Sequence, residues 1–98
     1  MNFDQFKESL SLASPPSEVS IHLKALWYDA KGDWQQSHDI IQNIVDTNAA
    51  WIHAYLHRKE GDIWNADYWY SKAGKKRPTM SLQQEWEMIA NELIHDSL

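Results

Sequence analysis

The chain has 98 residues, enough for a single domain spanning 1–98 that hides about two thirds of its unfolded surface, and its 43% hydrophobic content, with six Trp, four Tyr and two Phe, argues for a packed core rather than disorder. There is no cysteine, which excludes disulfides, thiolate chemistry and Cys-type zinc sites, and the net charge of −5 argues against general nucleic-acid binding. No apolar run approaches the roughly 18 residues of a membrane span, and MNFDQFKESL lacks the basic start and apolar block of a signal peptide, so a cytoplasmic protein without membrane contact is expected.

Sparse Gly and Pro divide the chain into helices. Asn2 with Gln5 forms a capping box, and Phe3, Phe6 and Leu10 recur at helical spacing, predicting a first helix over 2–13. Ser14-Pro15-Pro16-Ser17 breaks it, because proline removes a donor and restricts the residue before it. A second helix is expected from about Glu18 to Lys31, with Ile21, Ala25, Leu26 and Tyr28 on its apolar face and Gly32 at its end. Asp33 caps the third, whose inward face is assigned to Trp34, Ser37, Ile40, Ile41, Ile44 and Val45. After an Asp46-Thr47-Asn48 turn, Ala49 to Glu60 reads as the fourth helix and, past Gly61 and the Asp62 cap, Ile63 to about Lys75 as the fifth. Pro78 closes that unit. Ser81 with Gln84 opens a last helix carrying Leu82, Trp86, Ile89, Leu93 and Ile94 inward.

Two of the turns match. Lys31-Gly32-Asp33-Trp34 with Ser37 corresponds to Glu60-Gly61-Asp62-Ile63 with Ala66, one repeat length further along the chain. Gly suits a left-handed helix C-terminus, Asp caps the next helix, and the small residue one turn on lets the two helices approach. This arrangement resembles the tetratricopeptide repeat: Ala54, Gly61, Asp62, Ala66, Tyr70, Ala73 and Pro78 fall in register in one unit, and Ala25, Tyr28, Gly32, Asp33, Trp34 and Ser37 in the other, with Ile41 at the later aromatic site. His57 stands where the first-helix aromatic would be and Ala50 replaces the usual Trp. WYDAKGDW and HAYLHRKEGD…NADYWY are also similar to segments of a family of small bacterial proteins, a resemblance that implies the same fold and no particular activity. The expected architecture is all-α: two tetratricopeptide-like hairpins, 18–46 and 47–78, flanked by terminal helices over 2–13 and 81–96.

The resemblance implies a concave groove lined by the first helix of each unit. It selects Val19, His22, Leu26, Asp29 and Ala30, then Asn48, Trp51, Tyr55, Arg58 and Lys59. Of these, His22, Asp29, Trp51, Tyr55, Arg58 and Lys59 combine aromatic area, a planar guanidinium fork and positive charge, a mix suited to an extended peptide or a small anionic ligand. The alternative at this groove is that the acidic last helix, with four acids and no base over 81–98, lies across it and buries Trp51 and Tyr55.

Three further features compete for a role. His53 and His57 share a helix face with Glu60, the spacing of a helical metal or acid/base site, although HAYLH lacks the glutamate of the zinc-protease motif and the repeat register points both rings toward the partner helix. His38 is expected to make a polar contact between units. Trp64, Tyr68 and Trp69 leave the fifth helix few polar positions, so either the terminal helices cover it or a remnant forms a self-association patch. Lys72, Lys75, Lys76 and Arg77 crowd a helix C-terminus, where the carbonyl end of the dipole favours them. Neither a phosphate-binding glycine loop nor a nucleophile motif is present, and no cofactor is implied. The reading is a protein- or peptide-binding module; the alternatives are a small metal-dependent or acid/base enzyme centred on His53, His57 and Glu60, and a structural homo-oligomer.

Overall fold

A computed structural model describes residues 1–96, and every regular element among them is helical. The elements are α1 (Phe3–Glu8) running into a 3-10 turn (Ser9–Ser11), α2 (Ile21–Ala30), α3 (Trp34–Ile41), α4 (Thr47–Lys59), α5 (Ile63–Lys72) and α6 (Leu82–Asp96). Among the described residues no helix is long and apolar enough to cross a membrane.

The helix starts follow from side-chain caps. In the Asn2–Gln5 box, Asn2 Oδ1 accepts from the Gln5 N–H at 2.8 Å and the Asn2 N–H donates to Gln5 Oε1 at 2.9 Å. Ser81 and Gln84 repeat this reciprocal pair at the start of α6. Asp33, Asp46 and Asp62 each accept from the amide three residues ahead, at 3.1, 2.7 and 3.3 Å. Such a cap contributes about 1 kcal/mol by satisfying an amide that the helix leaves unpaired.

The two Gly-Asp corners are built alike. Gly32 and Gly61 have φ of +87° and +88°. The Asp33 N–H reaches back to Tyr28 O and the Asp62 N–H to His57 O, both at 2.9 Å, closing each helix with the six-to-one bond of a Schellman end. A side chain in place of either glycine would meet no atom, so the requirement for glycine there is conformational rather than spatial. Each corner folds a helix pair, α2 on α3 and α4 on α5, and the small residues Ser37 and Ala66 are fully buried at the contacts.

The core sits where these pairs meet α6. Leu26, Ile52, Ala54, Leu56, Ile89 and Ala90 are buried there. Trp86 of α6 stacks on Phe6 of α1, ring centroids 5.9 Å apart, and donates its indole N–H to Leu26 O at 2.9 Å. Trp27 donates to Ser9 O, and Lys31 Nζ donates to Leu10 O and Leu12 O, so α2 ties down the end of the N-terminal segment.

Several boundaries differ from those expected from the sequence. The first helix leaves α geometry after Glu8, and α2 begins at Ile21 rather than near Glu18, because Ser20 caps it through the Leu23 amide. Ile21 therefore sits in the first turn and faces outward, half exposed; Leu23 and Trp27 carry the inward face with Ala25 and Leu26. Helix α3 stops at Ile41, short of Ile44. Ile44 still packs on the core, but Val45, assigned inward by periodicity, is 99% exposed because the period ends with the helix. Asp46 caps α4 rather than turning the chain before it, so Thr47 and Asn48 are already helical.

Candidate functional site

Helix α4 positions both candidate sites on opposite faces. Trp51, Tyr55, Arg58 and Lys59 lie on one face, and His53, His57 and Glu60 lie about half a helical turn away.

The first face gathers the six groove residues expected from the sequence but finds them internally partnered. Asp29 of α2 is buried and accepts from Tyr55 Oη at 2.8 Å and Lys59 Nζ at 2.9 Å. Arg58 donates through Nη1 to Glu85 Oε1 of α6 at 2.8 Å and through Nη2 to Met80 O. The other oxygen of Glu85, a residue with no exposed surface, accepts from Tyr70 Oη of α5. Burial and then the carboxylate each phenol touches, Asp29 for Tyr55 and Glu85 for Tyr70, push both hydroxyls above the ordinary tyrosine range, so they remain donors. Trp51 is buried, and Lys75 Nζ lies 4.1 Å from its ring centroid. His22 Nε2 stands 3.0 Å from both carboxylate oxygens of Asp46. Burial raises the Asp46 carboxyl, but the Ala49 amide and His22 outweigh that and hold it below its ordinary value. Thus α6 packs against α2 and α4 on this face, and the Arg58 guanidinium divides its donors between Glu85 of α6 and the Met80 carbonyl just before it. A cleft of about 260 Å³ beside this network is bordered by Lys7, Asp29, Tyr55, Lys59 and Trp86.

The opposite face of α4 meets α3, and there the structure adds His38 to the two histidines paired by helical spacing. His38, His53 and His57 bring a ring nitrogen each within 4.8 Å of one another. The Nε2 atoms of His38 and His53 are 3.2 Å apart, so one of them carries the shared proton. His57 donates from Nδ1 to Glu60 Oε1 at 2.8 Å. Flat indoles close the cluster: Trp34 on His38 at 4.9 Å and Trp69 on His53 at 4.1 Å between centroids. Trp34 is held by its own N–H bond to Leu56 O. Trp69 belongs to α5, so His53 reaches the partner helix of its own pair, whereas His57 meets Trp34 and His38 of α3 in the other pair. Burial first, then His57 and His38, lowers the His53 pKa to about 4; burial and His57 also lower that of His38. Both rings are therefore neutral at pH 7, with lone pairs available. Two buried atoms lack a hydrogen-bond partner among the described residues, Ser37 Oγ and His38 Nδ1, and both lie in or beside this cluster.

No sequence spacing pairs His38 with His53, because the two sit on different helices and only the packing of α3 on α4 joins them. The usable signal is its place next to Ser37, the small residue that marks the closest helix approach. Glu85 is hidden for the same reason, on α6 far along the chain from Arg58.

The basic group at the end of α5 is spread over separate tasks. Lys72 lies over the Tyr68 ring, Lys75 over Trp51, and Arg77 pairs with Asp67. The chain matches no protein-family model, no curated protein and no solved structure.

Proposed function

We propose that this domain is a tetratricopeptide-like protein-interaction module that uses the outer face of α5, with its own last helix filling the groove where such modules hold peptides. The observation that carries the reading is Trp64. Trp27, Trp51 and Trp86 are buried and Trp34 and Trp69 half-covered, yet Trp64 is 80% exposed. Tyr68, one turn on, is 47% exposed with Lys72 above its ring, and Ile63 is exposed beside them. Exposed Trp and Tyr on one helical stripe supply large, low-entropy anchor area, the composition of interface hot spots. With Lys72 on the stripe and Lys76 close by, the complementary partner is a protein segment with an apolar pocket and an acidic rim.

The test is a photo-crosslinking residue at position 64 in cells, with position 92 on α6 as an exposed control. A discrete heteromeric adduct at 64, weakened by Tyr68→Ala and absent at 92, supports the reading. An adduct of twice the chain mass, with sedimentation that depends on concentration, moves the reading to the homo-oligomer joined through Trp64 and Tyr68. Equal adducts at both positions, or none, contradict an interface on α5.

A further inference from the structure

We propose that His38, His53 and His57 form a binding site for one first-row divalent transition-metal ion, with zinc the best fit, and that Glu60 positions His57 for it. This goes beyond the interaction reading and rests on different residues. Imidazole is a borderline-soft neutral ligand that suits zinc, copper and nickel, and three histidines leave a tetrahedral ion one position for water.

The geometry is close to that of a bound state. Two nitrogens on a tetrahedral zinc, each about 2.0–2.1 Å from the metal, stand roughly 3.4 Å apart. His38 Nε2 and His53 Nε2 are already 3.2 Å apart, and no member of the triad exceeds 4.8 Å from another. Small side-chain adjustments therefore close it. Without a metal, the His38–His53 pair must share one proton between two acceptors. With one, both lone pairs face the ion.

The surroundings fit as well. The Glu60 carboxylate accepts a hydrogen bond from the Nδ1–H of His57, which fixes the tautomer and leaves Nε2 as the ligating atom. Trp34 and Trp69 lie flat on His38 and His53 and hold the ring planes. His38 Nδ1 and the neighbouring Ser37 Oγ are buried without protein partners among the described residues; an ion on His38 Nε2 leaves the proton on Nδ1, so the site stands on the nitrogen spacing and not on these two atoms. The ion would link α3 to α4, and so one helix pair to the other. Ligand atoms of His57, Glu60 and Asp62, one from each, also lie within 4.8 Å of one another, but both carboxylates are exposed and Asp62 already caps α5, so the triad is the better donor set.

The experiment is titration of the untagged, chelator-stripped full chain with zinc chloride, followed by calorimetry, and with cobalt chloride, followed by visible absorption. The expected result is one equivalent bound, an intense tetrahedral cobalt spectrum, and a melting temperature that rises with zinc concentration. His57→Gln and His38→Gln should abolish stoichiometric binding while circular dichroism stays helical, and Glu60→Gln should weaken it about 10- to 100-fold. His95→Ala, remote on α6, should bind as the native chain does. Binding that survives both His→Gln changes, or that His95→Ala removes, would overturn the site; so would an octahedral cobalt spectrum or no saturable uptake. Should Glu60→Gln leave affinity unchanged while the histidine variants lose it, the positioning role of Glu60 is wrong.

Discussion

The two faces of α4 both carry polar, ionisable side chains and end in opposite states. On the groove face, Arg58, Lys59 and Tyr55 meet Glu85 and Asp29, and each carboxylate oxygen in the network has a donor. On the α3 face, three imidazoles crowd together, one pair shares a proton, and His38 Nδ1 has no protein partner among the described residues. Polarity alone therefore does not mark a site. A saturated network specifies how helices dock; an unsaturated one has capacity left for something from outside.

That contrast predicts the largest effect on the saturated face. Arg58→Met should cost about 3–5 kcal/mol of unfolding free energy, because it strands the fully buried Glu85 carboxylate. Urea melts check this, and a loss below about 1 kcal/mol would mean the ion pair does not seat α6.

The opposite face predicts an acid-sensitive, metal-free protein. His53 has a folded pKa near 4 against 6.5 unfolded, so the unfolded chain takes up its proton first as pH falls. Stability from this group is intact above pH 6.5 and declines steadily between 6.5 and 4, by up to about 3 kcal/mol. The lowered His38 acts in the same direction. In chelator, His53→Gln should flatten this part of the pH profile, whereas an unchanged slope would assign the sensitivity elsewhere.

The smallest effect on folding belongs to neither face. Trp64→Ser touches an outward indole and should change stability by no more than about 0.5 kcal/mol while removing partner binding. A substantial loss of stability would place Trp64 in the fold rather than at an interface.

Much of the scaffold is legible in the sequence because its determinants are local. Asn2, Asp33, Asp62 and Ser81 cap the helices at the expected places, and Gly32 and Gly61 turn the chain where the repeat places them. The grouping of Asp29 with Tyr55 and Lys59 is legible only through the resemblance to the tetratricopeptide repeat, which implies that these positions of α2 and α4 share one face. Long-range pairing is not. Arg58 and Lys59 announce a need for carboxylates, and only the path of α6 reveals that Glu85 meets one of them from within. The same limit hides the meeting of His38 with His53. Val45 fails for a smaller reason: apolar periodicity continues in the sequence past Ile41, where the helix itself stops.

Native-state hydrogen exchange of α6 tests the contrast most directly. If the groove face is closed by its own helix, the amides around Trp86, Ile89 and Leu93 exchange only through global unfolding, with the same free energy as those of Ile52 to Leu56 in α4. Exchange of α6 at a free energy well below the global value, with α2 to α5 still protected, would contradict this and make the groove a peptide site with a displaceable cover.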